Sequence, residues 1–244
     1  GFVLAPIFAE IGLRTGSWRQ TLLFFGIATI TIGIVYSICG KRDGFRGEPP
    51  HLHNIKQIVR KKSFRILAVF FILGVGLESG VFAMLPTYLV VERGMERGFV
   101  NTIVGLSRSS ALILVFFSGW LGDKFGVKVV IGWIAAFAGV FTVLLGVLQK
   151  QWIIPVVFLQ PFVISSIWPV LVTALSDLSP SRTRNVSVSV LVPFTNLFGA
   201  GFVPVAMGFL AEQGVFAAGF IIIGSCMILA LLLLPRLELS ANVE

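Results

Sequence analysis

Long apolar runs separated by short charged stretches dominate the chain. A run of roughly 18 or more residues without a charged side chain is long enough to cross a bilayer as a helix. Such runs occupy residues 20–40, 129–149, 152–176, 185–211 and 214–234. Two more runs, 66–90 and 99–122, contain one ionisable residue each, Glu78 and Arg108. The pattern predicts seven membrane-spanning helices, and the apolar stretch 1–9 is too short to add another.

The composition favours an all-α membrane protein over a soluble domain. Hydrophobic residues make up 56% of the 244 residues, charged residues make up 12%, and the mean hydropathy is +0.96. A soluble domain is normally about one quarter charged. The net charge of +8 does not indicate a nucleic-acid partner, because the basic residues lie in loops between apolar runs. The expected partner is the lipid bilayer.

The sequence offers no candidate metal or cofactor site. Cys39 and Cys226 lie in or at the end of apolar runs, where they are typical of small buried hydrophobic residues. His51 and His53 lie in a basic loop, where solvated histidines are more common than ligands. No span contains a histidine or a pair of acidic residues, which disfavours a membrane-embedded enzyme. We expect no cofactor, no metal and no enzymatic activity.

The basic residues predict an orientation. With alternating spans, one side of the membrane receives 13 Lys and Arg residues and the other receives 5. The larger set is Lys41, Arg42, Arg46, Lys56, Arg60, Lys61, Lys62, Arg65, Lys124, Lys128, Arg182, Arg184 and Arg236; the smaller set is Arg14, Arg19, Arg93, Arg97 and Lys150. The positive-inside rule places the larger set and the C-terminus in the cytoplasm, in a multi-pass protein of the plasma (inner) membrane. Trp18, Tyr88 and Trp152 then fall at outer helix ends, as interfacial anchors.

Residues 51–62, HLHNIKQIVRKK, are predicted as a short amphipathic helix. Leu52, Ile55, Ile58 and Val59 follow helical spacing, with basic residues between them. A helix lying on the anionic inner leaflet is one interpretation. A solvated linker helix is the alternative.

Two stretches of the chain resemble each other. Residues 1–12, GFVLAPIFAEIG, and residues 201–214, GFVPVAMGFLAEQG, both begin with Gly-Phe-Val and end with Ala-Glu-x-Gly, and each precedes an apolar span. A parallel internal repeat is typical of transporters, with chance similarity as the alternative. The offset of 200 residues places the counterpart of the helix near Phe64 before residue 1. We therefore expect an N-terminally truncated chain, with the missing N-terminal half as its partner.

The turn between runs 99–122 and 129–149 reads SGWLGDKFGVKVV, residues 118–130. It resembles the major facilitator superfamily signature, G-x-L-[AG]-D-[RK]-x-G-[RK]-[RK]. The matching positions are Gly119, Leu121, Gly122, Asp123, Lys124, Gly126 and Lys128. Val127 stands where the family usually has a basic residue.

Other features agree with this resemblance. Ser17-Trp18-Arg19 looks like the motif that precedes the sixth helix of the family, and loop 41–65 resembles the linker between its two halves. The resemblance implies a helical bundle of the superfamily type, truncated at the N-terminus, from the end of helix five to helix twelve. The implied divisions are a tail of the N-terminal half at 1–40, a basic linker at 41–63, a C-terminal six-helix half at 64–236 and a cytoplasmic tail at 237–244.

The resemblance also implies a function, with a small-molecule substrate as a further partner. The family's members are secondary active transporters that move small solutes by alternating access, and the signature turn gates the contact between halves. Asp123 would face the positive N-terminus of a neighbouring helix. A plain charged turn is the structural alternative for the motif. A non-transporting scaffold or anchor subunit, or an inactive transporter fragment, is the alternative for the protein.

Glu78 and Arg108 are the candidate residues for substrate binding and proton coupling, with Ser107 and Asn196 as further candidates. Glu78 lies 13 residues from Arg65, and Arg108 lies 15 residues from Asp123. At about 1.5 Å per residue, both lie roughly 20–22 Å deep in a core of about 30 Å. A charge at that depth needs a partner or a water-filled cavity. A structural ion pair is one interpretation. In the other, Arg108 holds an anionic group and Glu78 carries the coupling proton.

The orientation leads to a topological prediction. In a background with Cys39 and Cys226 replaced by serine, a cysteine at residue 45 should react with an impermeant maleimide only from the cytoplasmic side. A cysteine at residue 150 should react only from outside. Labelling of residue 45 from outside would show that the orientation is inverted.

Overall fold

The computed structural model describes residues 18–40, 56, 58–178 and 184–239. The chain divides into two compact units, residues 1–46 and 47–244. The described residues contain seven helices long and apolar enough to cross a membrane, and no strand. The prediction of an all-α membrane protein with seven spans is confirmed.

The first unit contributes helix α1, Trp18–Cys39. Its side chains are exposed over nearly the whole length, including Leu23 at 64% and Ile32 at 69%. Thr29 and Thr31 donate their hydroxyls to the backbone carbonyls of Phe25 and Ile27, each at 2.8 Å. The helix thus satisfies its own polar groups, as a helix surface that faces lipid must.

The second unit contributes six spans. They are α2 (Lys62–Val75, a π-helical turn Gly76–Gly80, and Val81–Val91), α3 (Arg97–Phe125), α4 (Val127–Val147), α5 (Lys150–Ile164 and Ile167–Leu178), α6 (Arg184–Thr195, a π-helical turn Asn196–Phe202, and Val203–Glu212) and α7 (Phe216–Ala230, then a 3₁₀ end Leu231–Arg236). Four of these spans end within two residues of their predicted ends and the other two extend beyond them, because apolar length determines where a helix leaves the membrane.

The six helices enclose two clusters of buried apolar side chains. One lies toward the start of α2 and includes Leu67, Phe70, Ile131 and Leu171. The other lies toward the end of α2 and includes Leu85, Leu89, Val100, Leu145 and Phe220. Ile58, from the helix predicted at 51–62, belongs to the first cluster with 8% exposure and so packs against the bundle. The other residues of that predicted helix up to 55, and residue 57, lie outside the described residues.

The two π-helical turns pack against each other at Gly199. A Cβ at Gly199 would lie 2.6 Å from the carbonyl oxygen of Ile72 and 2.9 Å from the backbone nitrogen of Gly76. Such distances are far shorter than van der Waals contact, so only glycine allows α2 and α6 to approach this closely. The irregular turns of α2 and α6 therefore lie at the same depth in the bundle.

The turn after α2 joins the ends of several helices. The guanidinium of Arg93 donates to the Tyr88 hydroxyl at 2.8 Å and to the Gly146 carbonyl at 2.7 Å. The Tyr88 hydroxyl in turn donates to the Leu145 carbonyl at 2.8 Å. These bonds satisfy carbonyls at the C-terminus of α4. Tyr88 is fully buried, so its prediction as a lipid anchor is wrong, whereas Trp152 is 65% exposed.

Two acidic residues of the same turn cap helices. Glu92 accepts from the backbone N–H of Ala217 at 3.1 Å, in the first turn of α7. Glu96 accepts from the N–H groups of Gly98 and Phe99 at 2.7 and 2.6 Å, at the start of α3. These two bonds lower the pKa of the Glu96 carboxyl below its usual value, because they stabilise the charged form. Loop Glu92–Glu96 thus fastens the ends of α3, α4 and α7 together.

The Gly199 contact generates a prediction about stability. Gly199→Ala should lower the melting temperature in detergent by several degrees, since overpacking costs about 1–3 kcal/mol. Gly208→Ala is the matched control on α6, because a Cβ there meets nothing within 4 Å. It should leave the melting temperature unchanged or slightly raised. Equal effects of the two substitutions would show that the π-turn contact is not tight.

Candidate functional site

The structure brings Glu78 and Arg108 together. Arg108 Nη1 lies 3.5 Å from Glu78 Oε1, and Arg108 Nη2 donates to the backbone carbonyl of Glu78 at 2.8 Å. Glu78 lies in the π-helical turn of α2, and Arg108 lies near the middle of α3. One guanidinium thus binds both the side chain and the backbone of the same residue.

The two partners of this pair differ in exposure. The side chain of Arg108 is 5% exposed, whereas that of Glu78 is 22% exposed. The guanidinium carbon of Arg108 also lies 3.9 Å from the ring centroid of Phe82, one turn along α2 from Glu78. A cation over an aromatic face and beside a carboxylate offsets much of the cost of placing a charge in the membrane, at least ~2.5–3.5 kcal/mol. Glu78 is the more accessible member.

The other two candidates do not join the pair. Ser107 is fully buried, and its hydroxyl donates to the Val104 carbonyl of its own helix at 2.8 Å. Asn196 begins the π-helical turn of α6, and its side chain is exposed. The contact between the two π turns runs through Gly199 instead. The candidate site therefore centres on Glu78 and Arg108.

Gln160 on α5 is a polar component that the sequence pattern did not single out. Its amide donates to the carbonyl of Leu77 at 3.1 Å and to the hydroxyl of Thr142 at 3.4 Å, and its exposure is only 4%. Thr142 in turn donates to the Ala138 carbonyl at 2.7 Å. The sequence signal for Gln160 was a polar amide inside the apolar run 152–176. Such a group needs a hydrogen-bond partner when it is buried in a membrane.

The π-helical turn explains why two consecutive carbonyls receive these donors. The N–H of Val81 donates to the Gly76 carbonyl, five residues back rather than four. This shift alters the bonding of the carbonyls that follow, and Leu77 and Glu78 accept from Gln160 and Arg108. π-helical turns occur frequently at functional sites. The α2 backbone is therefore held from both sides, by α5 and by α3.

The signature turn joins α3 to α4 through Gly126, whose φ of +86° favours glycine. Gly119 and Asp123, four residues apart on one face of α3, are exposed, and a Cβ at Gly119 meets nothing within 4 Å. Leu121 packs against the core, and Gly122 is buried. The same face of α3 also carries Phe116, 83% exposed. α3 therefore presents an open strip at this end of the second unit.

The two lysines of the signature have separate contacts. Lys124 Nζ lies 4.7 Å from the ring centroid of Trp120 and 5.4 Å from that of Phe125. Lys128 Nζ donates to the carbonyls of Pro235 and Leu237 at 3.0 and 2.8 Å. Lys128 thus places a positive charge on the C-terminal end of α7, where the helix dipole is negative.

These observations define the class: a polytopic helical membrane protein with a charged pair in the middle of its bundle and a glycine-rich charged turn at one end. Comparison with known families identifies it more closely. Residues 98–241, from the start of α3 past the end of α7, match the model of the Major Facilitator Superfamily. The chain belongs to this family of membrane transporters. No curated protein matches it.

The ion pair generates a prediction about stability. Arg108→Leu leaves the Glu78 carboxylate without its cation and should lower the free energy of unfolding by about 3–5 kcal/mol. The double variant Glu78→Gln/Arg108→Leu should recover most of this loss, as measured by reversible unfolding in mixed micelles. Arg97→Leu, at the exposed start of the same helix, is the matched control and should have little effect. A double variant no more stable than Arg108→Leu would show that the two residues are not coupled.

Proposed function

We propose that the six-helix unit is one half of a secondary active transporter that moves a small anion together with protons by alternating access. The observation that carries the proposal is the Glu78–Arg108 pair. The two residues come from consecutive helices, lie at the same depth and form an ion pair. In a transporter, ionisable residues at this depth are the usual means of coupling solute to protons.

Charge balance supports coupling between a proton and an anion. With Glu78 ionised, the pair is neutral and the guanidinium is occupied. Protonation of Glu78 removes the negative partner, and Arg108 is then a buried cation that an anionic solute stabilises. Because a net charge at this depth is costly, the proton and the anion are most stable when both are bound. The greater exposure of Glu78 suits the group that exchanges the proton.

The hydrogen bonds of the pair also support a link to movement. Arg108 holds the Glu78 carbonyl as well as its carboxylate. When the guanidinium turns toward a solute, that carbonyl loses its donor. The unsatisfied carbonyl then favours a rearrangement of the π-helical turn. Gly76 and Gly80 are the first and last residues of this turn, and Gly199 of α6 packs against it. The proposed movement therefore begins where α2 is already irregular.

The open strip of α3 supports a second six-helix half as the partner. Gly119 leaves room for a close helix approach, and Asp123 offers a negative charge to the N-terminus of such a helix. In this proposal the strip is the gating contact, and turn 118–130 faces the cytoplasm with the larger set of basic residues.

Transport assays test the proposal with the chain assembled with a second half-bundle in proteoliposomes. A thermal-shift panel of nitrate, phosphate, carboxylates, sugars and cations first selects the probe, and anions should stabilise the protein most. Arg108→Lys should then weaken binding of that anion by about tenfold. The ammonium of lysine cannot make one of the charge-assisted hydrogen bonds that the planar guanidinium of arginine makes. Glu78→Gln should abolish proton-driven accumulation but retain exchange.

Matched controls are Arg97→Lys, at the exposed start of α3, and Glu212→Gln, at the exposed end of α6. Both should transport normally. If Glu78→Gln and Arg108→Lys also transport normally, the pair is structural and the site lies elsewhere. Stabilisation by sugars or cations alone would contradict the anion class. Uptake by residues 1–244 without a second half would contradict the two-half arrangement.

A further inference from the structure

A groove with basic residues at its rim lies between the first turns of α2 and the end of α7. It has a volume of about 410 Å³ and is lined by Lys62, Arg65, Ile66, Val69, Leu233 and Arg236. Neither the Glu78–Arg108 site nor the signature turn includes any of these residues. All six lie in the first two turns or so of α2 or in the last turns of α7, near where the bundle passes from the membrane core to water.

The lining residues form two levels. Lys62 begins α2 and Arg236 ends the 3₁₀ segment of α7, so the cations lie at the rim. Val69 lies seven residues into α2, which is about 10 Å deeper at 1.5 Å per residue. Ile66 and Leu233 are apolar and also lie inward of the rim along their helices. A ligand that fills the groove must be anionic at one end and apolar at the other.

The positive charge of the rim is not neutralised within the described residues. None of the three cations makes a salt bridge there, although Glu238 follows closely and its N–H donates to Ser63 Oγ at 3.2 Å. The C-terminal carbonyls of Pro235 and Leu237 already accept from Lys128. As far as the described residues go, the groove cations are therefore available for an external anion.

We infer that this groove binds an anionic phospholipid, with its phosphate among Lys62, Arg65 and Arg236 and an acyl chain along Ile66, Val69 and Leu233. Basic pockets between spanning helices commonly bind anionic head groups. The apolar level favours a lipid over free phosphate, because it adds buried hydrocarbon area that an inorganic ion cannot use. The orientation in the proposed function would place this groove in the cytoplasmic leaflet, but the lipid inference does not depend on that orientation.

Native mass spectrometry of the full chain in neutral detergent tests this inference with dioleoylphosphatidylglycerol as the probe. The protein should bind it in preference to dioleoylphosphatidylcholine. Lys62→Gln/Arg65→Gln/Arg236→Gln should weaken phosphatidylglycerol binding by about a hundredfold. This follows from the loss of three cations that each contribute about one kcal/mol to binding. Lys56→Gln/Arg60→Gln/Lys61→Gln is the matched control with the same charge change just outside the groove. It should weaken binding less than about threefold if the groove, rather than diffuse surface charge, holds the lipid.

A second variant tests the apolar level without changing charge. Val69→Phe fills part of the groove and should weaken phosphatidylglycerol binding, while the melting temperature without lipid stays unchanged because Val69 is 36% exposed. Inorganic phosphate at millimolar concentration should not displace the lipid. Displacement by phosphate would show an anion site instead. Equal losses in the two triple variants, or equal binding of the two lipids, would overturn the inference.

Discussion

In a membrane every backbone carbonyl needs a donor from within the protein, and the π-helical turn Gly76–Gly80 is where this requirement controls the bundle. Lipid offers no hydrogen-bond donor to the carbonyls of Leu77 and Glu78. Gln160 and Arg108 supply the donors from α5 and α3. The positions of three helices are therefore tied to one irregular turn, and the charged pair is held in place by the same bonds that satisfy the backbone.

The spans could be predicted from the sequence because their cause is local. A run of about 20 apolar residues is sufficient to define a membrane helix, so seven runs gave seven helices. The π turns could not be predicted, because hydropathy is the same for α-helical and π-helical residues. Tyr88 shows a similar limit. An aromatic residue at a helix end suits lipid contact or bundle packing, and only the fold reveals that Arg93 and the Leu145 carbonyl surround its hydroxyl.

The candidate site was partly predictable for the same reason. Equal depth on consecutive helices indicated that Glu78 and Arg108 were able to meet, and the structure has them in contact. Depth alone gives no information about rotation around a helix axis. Ser107, adjacent to Arg108 in sequence, bonds to its own helix, and Asn196 is exposed on α6. Gln160 was overlooked because one amide scarcely changes the hydropathy of a long apolar run.

Loop Glu92–Glu96 has a mechanical consequence for the bundle. Its side chains bond the C-terminus of α4 and the N-termini of α3 and α7, so that end of the unit resists bending. In the charged turn at the other end, Lys128 donates a hydrogen bond to the carbonyl of Leu237, just after α7. One face of α3 remains open there. Because the regular α-helical bonding of α2 and α6 is interrupted at the π turns, we expect any bending of these two helices to occur there.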